Sequence, residues 1–112
     1  MSDVAVVILN YNGKELLRQF LPSVIQHSGN ARIVVADNGS NDGSLQFLRE
    51  TFPLVGVIAL PTNLGFCGGY NEALKQVNAT YYVLLNSDVE VTPNWLQPLV
   101  SLLDSDRTIA AA

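Results

Sequence analysis

Tyr81-Tyr82-Val83-Leu84-Leu85-Asn86-Ser87-Asp88-Val89-Glu90-Val91 is the stretch on which the fold turns. Its opening run of aromatic, β-branched and leucine residues is what a strand buried on both faces looks like. In an open α/β sheet, ligands bind outside the carboxyl ends of the parallel strands, which puts Asn86 and Asp88 at the floor or rim of a crevice. The rest of the chain is then expected to supply walls around whatever Asp88 holds.

Two earlier runs end the same way. Residues 4–9 are apolar and lead into Asn10-Tyr11-Asn12-Gly13, while residues 32–36 lead into Asp37-Asn38-Gly39-Ser40. Both read as strands ending in polar turns. Between them, Leu16, Leu17, Phe20, Leu21, Val24 and Ile25 recur at helical spacing and predict a helix over residues 14–27. Pro22 is expected to kink that helix or to begin a new turn, because it cannot donate a backbone hydrogen bond. Further on, Leu45, Phe47, Leu48 and Phe52 predict a short helix capped by Asp42 or a neighbouring serine. Residues 55–60 read as a weaker third strand and residues 66–77 as a helix. A last helix is expected from Pro93 through Leu103, and residues 108–112 look like the start of another strand. Strand and helix alternate throughout, which argues for an α/β fold: a mostly parallel open sheet with helices on both faces and right-handed crossovers. A chain that stops at the onset of an apolar strand is expected to be the N-terminal part of a longer protein.

Composition narrows the function. A chain of 112 residues makes one domain, 48% hydrophobic and only 14% charged, which favours a buried sheet over a disordered chain. The net charge is −4 and the six basic residues are scattered, so a nucleic-acid surface is not expected. An anionic ligand would have to be held by helix N-termini and a divalent cation instead. Cys67 is the only cysteine, which rules out an internal disulfide and a thiolate metal site. No apolar run reaches the roughly 18 residues of a membrane span. A cytoplasmic location is expected, with the full-length protein peripheral to the inner face of the membrane.

Four stretches carry a family likeness: the strand with Tyr-Asn at residues 7–12, Asp-Asn-Gly-Ser-x-Asp-Gly-Ser at residues 37–44, Asn-x-Gly-Phe-x-Gly-Gly-x-Asn at residues 63–71, and Leu-Leu-Asn-Ser-Asp at residues 84–88. In this order and spacing the chain resembles the nucleotide-sugar-binding half of the family 2 glycosyltransferases, which have the GT-A, Rossmann-like fold, and within them the rhamnosyltransferase-type members that build surface polysaccharide. The resemblance implies a donor-binding domain over residues 1–112 of a metal-dependent, inverting transferase of hexosyl type. The sugar would pass from a UDP- or dTDP-sugar to a hydroxyl of a saccharide or lipid-linked saccharide acceptor. Its general base lies in the family's later half, past Ala112, so the 112 residues alone are expected to bind nucleotide but to transfer sugar poorly or not at all.

By the family's pattern, Asp37 is the carboxylate that accepts the imide N–H of uracil or thymine, a sound partner because an ionised carboxylate has no donor of its own. The alternative is that Asp37 closes a turn through local hydrogen bonds. Tyr11 would lie against the base, with Asn12 and Asn86 completing the nucleotide site. Asp88 would hold Mg²⁺ or Mn²⁺, which needs one carboxylate plus phosphate oxygens and water. Asn86 stands where the commoner form of the motif has a second aspartate, so the free ion should bind weakly. Asn63, Gly65, Gly68 and Asn71 would meet the donor's sugar and phosphates. The glycines there, with Gly69, equally suit tight packing of a helix on the sheet. Trp95 reads as core but near enough to Asp88 to line the pocket. Two other readings stay open: a nucleotide-binding module without chemistry, and a flavodoxin-like or receiver signalling domain. A sheet edge left unpaired at residues 108–112 would invite self-association.

Overall fold

A computed structural model of the chain describes residues 3–105. Strand and helix alternate strictly: β1 (Val4–Asn10), α1 (Lys14–His27), β2 (Arg32–Asn38), α2 (Ser44–Thr51), β3 (Gly56–Leu60), α3 (Gly65–Lys75), β4 (Tyr81–Asn86) and α4 (Gln97–Ser105). Among the described residues the sheet has four strands in the order β3-β2-β1-β4, and every pairing is parallel. The expected fold class is therefore the observed one.

The two faces differ. On one, Leu17, Leu21 and Val24 of α1, Leu48 of α2 and Val100 of α4 pack with Val4, Val6 and Ile8 of β1. On the other, Tyr70 and Ala73 of α3, followed by Val77, pack against Ala5 and Val7 of β1 and Val34 and Ala36 of β2. The path from β1 through β3 thus advances to one side with its helices on one face, and α3 carries the chain back across the opposite face to β4. A sheet wound in both directions from its first strand has its topological switch between β1 and β4, where such sheets bind ligands.

Two expectations are corrected. The strand buried on both faces is β1, whereas β4 alternates between half-buried and exposed residues because it is an edge: Leu84 is 53% exposed. The last helix begins at Gln97 and not at Pro93, since Asn94 takes a left-handed φ of 59° that a helix cannot continue. α1 has its expected span, with Pro22 inside it. The strand expected over residues 108–112 lies outside the described residues.

The loops after β2 and β3 are locked together at Gly39. A Cβ there would come within 2.7 Å of the Thr62 carbonyl carbon and 2.8 Å of the Asn63 nitrogen, and the residue holds a φ of 77°. Neither the backbone it would strike nor that φ accommodates a side chain cheaply. Gly39→Ala should therefore lower unfolding stability by about 2 kcal/mol or more, measured by urea denaturation. A loss below ~0.5 kcal/mol would mean the two loops are not in contact.

Candidate donor-binding site

The carboxyl rim of the sheet is built around a buried pair. Asn10 and Asp37 are register partners at the ends of β1 and β2, and both side chains are fully buried. Asn10 Nδ2 donates to Asp37 Oδ1 at 2.9 Å, and the Ser40 backbone N–H donates to Asp37 Oδ2 at 2.9 Å. Asn10 Oδ1 accepts from the Gly13 N–H at 3.1 Å, three residues on. Each strand end is thus turned by its own side chain, and the two turns are joined to each other.

From that pair the network spreads across both loops. Ser40 Oγ accepts the Asn12 N–H at 2.8 Å, and Asn12 Oδ1 accepts the Asn41 N–H at 2.8 Å. Asp42 accepts the Lys14 N–H at 3.1 Å with one oxygen and the Ser44 N–H at 3.0 Å with the other, so one carboxylate serves the starts of both α1 and α2. That fits the expected capping role, with Gly43 rather than a polar residue at the α2 cap position. Burial works against its charge, but the bonds from Ser44 and Lys14 prevail and hold the Asp42 carboxyl below its usual range.

On the far side of β2, Asn38 binds the α3 entry. Its Nδ2 donates to Asn63 Oδ1 and to the Gly65 carbonyl, each at 3.0 Å, and its Oδ1 accepts the Leu64 N–H at 2.9 Å. Asn63 Oδ1 also accepts the Gly65 N–H at 2.8 Å. The start of α3 is thereby pinned at the same rim. Of the glycines left open between ligand approach and packing, Gly69 is a packing residue, because a Cβ there would fall 2.8 Å from Leu9 Cδ1 and 2.9 Å from Asn38 Nδ2. Gly65 is exposed with a φ of 78° and nothing near its Cβ position, which leaves room for a ligand. Gly68 faces only Leu64. Asn71 is exposed on the side of α3 turned away from its buried residues Tyr70 and Ala73, so donor contact does not follow from its position here.

Tyr11 is 50% exposed beside this platform, and Asn12 is exposed with a left-handed φ of 51°. Across β1, Leu9 pairs with Asn86, so Asp37 and Asn86 flank β1 on opposite sides of the same rim, roughly two strand spacings or 10 Å apart. Asn86 and Asp88 are exposed, and Ser87 Oγ lies close to Gly13. Asp37 makes the local turn bond of its alternative reading. It is 0% exposed with both oxygens bonded, because a charge buried at a strand end must be satisfied from within. Trp95 does not line this rim either: its Nε1 donates to Ser28 Oγ at 3.2 Å, just past the α1 C-terminus, at the amino ends of the strands.

Larger clefts of about 710 and 400 Å³ open at that opposite rim, along Phe52, Pro53 and Leu54 and along His27, Ser28 and Pro93, and neither borders Asp37 or Asp88. A depression of about 320 Å³ lies between Asn12, Lys14 and Asp42 on the carboxyl side. Among the described residues no group of three or more His, Cys, Asp and Glu could hold a metal by itself. One exposed carboxylate at Asp88, beside Ser87 and Asn86, fits a hard cation bound chiefly through phosphate and water, not one caged by protein.

The glycosyl transferase family 2 model matches residues 5–112. The chain belongs to that family. An uncharacterized glycosyltransferase of Haemophilus influenzae is 28% identical over 112 residues, covering 96% of this chain and 35% of its own length. The mannosyltransferase PcManGT of Pyrobaculum calidifontis, solved with GDP-Man and Mn²⁺, superposes with a TM-score of 0.81 at 22% identity, over 97% of this chain and 36% of its own. TarS residues 1–349 of S. aureus, solved with UDP-GlcNAc, gives 0.79 at 24% identity, over 94% and 32%. This family 2 chain thus spans about a third of the length of these relatives. No described helix is long and apolar enough to cross a membrane. The family excludes the flavodoxin-like and receiver readings.

Sequence reasoning named Asp37 and the exposed residues of this rim but gave no role to Asn10, Asn38 or Ser40. Asn10, Asn38 and Ser40 do the positioning, and the readable signal was a strand-end Asn or Asp followed three residues later by Gly or Ser, at Asn10-Gly13 and Asp37-Ser40.

Two outcomes follow. Asn10→Leu strands Asp37 Oδ1 and the Gly13 N–H without their partner and should cost about 3 kcal/mol in urea unfolding, since an orphaned buried group near a charge carries its full desolvation penalty. Asp42 has a depressed folded pKa, so its contribution is fully present above the ordinary value of 3.8 and is lost as pH falls below it. Asp42→Asn should therefore unfold with a shallower acid limb below pH 3.8 than wild type, followed by circular dichroism against pH.

Proposed function

We propose that this family 2 domain binds the donor of a metal-dependent, inverting transferase of hexosyl type, taking a UDP- or dTDP-sugar whose sugar passes to a hydroxyl acceptor. The observation that carries this reading is the placement of Tyr11 and Asn12 on one side, and Asn86 and Asp88 on the other, at one rim astride the switch between β1 and β4. A nucleoside would lie on the platform with its base against Tyr11, a contact worth on the order of 1 kcal/mol. Its diphosphate would extend toward Asp88 and the start of α3 at Gly65. Asp37 serves the base indirectly, by fixing Asn10 and Ser40 and through them the loop that carries Tyr11 and Asn12. Asn63 and Gly68 complete the edge nearest the donor sugar.

Asp88, with Ser87 and Asn86 beside it, would hold Mg²⁺ or Mn²⁺, which when bound offsets the charge gathering on the departing nucleoside diphosphate. A cation suits a chain of net charge −4 that, among the described residues, brings no cluster of basic side chains to its rim. A rhamnosyl donor is supported by the Asn-x-Asp form at residues 86–88 and by the Gly-Phe-x-Gly-Gly-x-Asn stretch. Transfer by the 112 residues alone should be slight, because no motif among them matches the family's base.

Calorimetric titration with UDP, dTDP and GDP, each with and without Mn²⁺, tests the proposal. UDP and dTDP should bind more tightly than GDP, and Mn²⁺ should tighten them about tenfold, or 1.4 kcal/mol. Asp88→Asn should abolish the Mn²⁺ effect and leave thermal stability unchanged. A preference for GDP would overturn the pyrimidine assignment, and an Mn²⁺ effect that survives Asp88→Asn would overturn the metal assignment.

A further inference from the structure

Tyr70 does more than fill the core beneath α3. It projects from the inner face of α3 and is 4% exposed, with its ring meeting Phe66 edge-on at 5.0 Å between centroids. Its hydroxyl donates to the Leu85 carbonyl at 3.1 Å and accepts from the Leu9 N–H at 3.4 Å. In a parallel ladder with Leu9 opposite Asn86, those two groups face each other across β1 and β4. The phenol therefore sits on the last rung of the pairing at the topological switch, one residue below Asn10 on one strand and one below Asn86 on the other. Gly69, whose missing Cβ lets α3 come down on Leu9, sets the depth to which Tyr70 reaches.

We infer that Tyr70 is a positioning residue for the donor: its hydroxyl fixes the height of Asn86-Ser87-Asp88 on β4 against the Asn10 platform on β1, so that the diphosphate and cation end of a nucleotide meets Asp88 while the base end rests on Tyr11. The inference rests on the proposed donor site. A phenol is suited to this because it offers donor and acceptor from one atom, and here each is used on a different strand. Burial raises its pKa despite the Leu9 bond, so it stays a neutral phenol through the working range. α3 carries Gly65 at its start and Tyr70 one and a half turns on, which ties the phosphate-facing end of the helix to the same rung.

Tyr70→Phe keeps the ring and removes the hydroxyl, while Phe66→Leu disturbs the ring's packing and keeps the hydroxyl. Binding of uridine, which has no phosphate, and of UDP with and without Mn²⁺ is measured for both variants and for wild type by calorimetry. Tyr70→Phe should leave uridine affinity within twofold and cut the Mn²⁺ enhancement for UDP by about three- to tenfold, the size expected for one hydrogen bond. Phe66→Leu should leave that enhancement unchanged. Equal losses for uridine and UDP, or an undiminished enhancement in Tyr70→Phe, would overturn the inference. Should Tyr70→Phe fail to fold, the Tyr70 ring carbon beside the hydroxyl is followed by NMR in wild type. It should shift on adding UDP with Mg²⁺ but not uridine, and no difference between the two would overturn the inference. Failure of wild type itself to bind UDP with Mn²⁺ would instead overturn the donor-site proposal.

Discussion

The rim of this domain depends on one hydrogen bond, from Asn10 Nδ2 to Asp37 Oδ1, made between two fully buried side chains on neighbouring strands. A carboxylate taken wholly out of water destabilises a fold unless its oxygens are bonded, and here one oxygen is met by the neighbouring strand and the other by its own turn. Because Asn10 also accepts from Gly13, the same contact sets where α1 begins. The loops after β1 and β2 are consequently one body. Polar groups buried this way rigidify when every member is satisfied, and no buried side-chain nitrogen or oxygen among the described residues lacks a partner.

A rigid floor matters because the groups that would meet a nucleotide are exposed. Tyr11, Asn12, Asn86 and Asp88 stand on the ends of strands and not on long loops, so little ordering entropy is lost when they engage a ligand. β1 makes this possible. It is buried on both faces, lies between β2 and β4, and carries one wall of the site on each flank. Among the described helices, α3 is the one on the second face, and it returns the chain to β4, which runs parallel to β1 on the side opposite β2.

Most of this architecture was legible in the sequence. Apolar runs ending in Asn or Asp marked the strands, and the 3.6-residue recurrence of Leu17, Leu21 and Val24 marked α1 over its observed length. Where the sequence misled, neighbours decided. The run from Tyr81 to Leu85 has the composition of a central strand, but composition does not say which strand is an edge, and Tyr82 and Leu84 are exposed because nothing described covers β4 on that side. Pro93 looked like a helix start, yet Asn94 adopts a left-handed turn that its short amide side chain tolerates better than most. Asp37 could be read either as a ligand group or as a turn closer, because a carboxylate at a strand end has the same spelling whether it points outward or inward. Its direction is set by Asn10, 27 positions away, and no local pattern carries that.

Asp42 is bonded at once to the first turn of α1 and the first turn of α2, helices that belong to different crossovers. Fraying of either helix start releases a carboxylate oxygen that the other does not need, so the two ends do not compete for it. Each remains held, though, only while the loop between β2 and α2 keeps its shape. Loss of that loop would therefore release both first turns together, while fraying of one helix start alone leaves the other held.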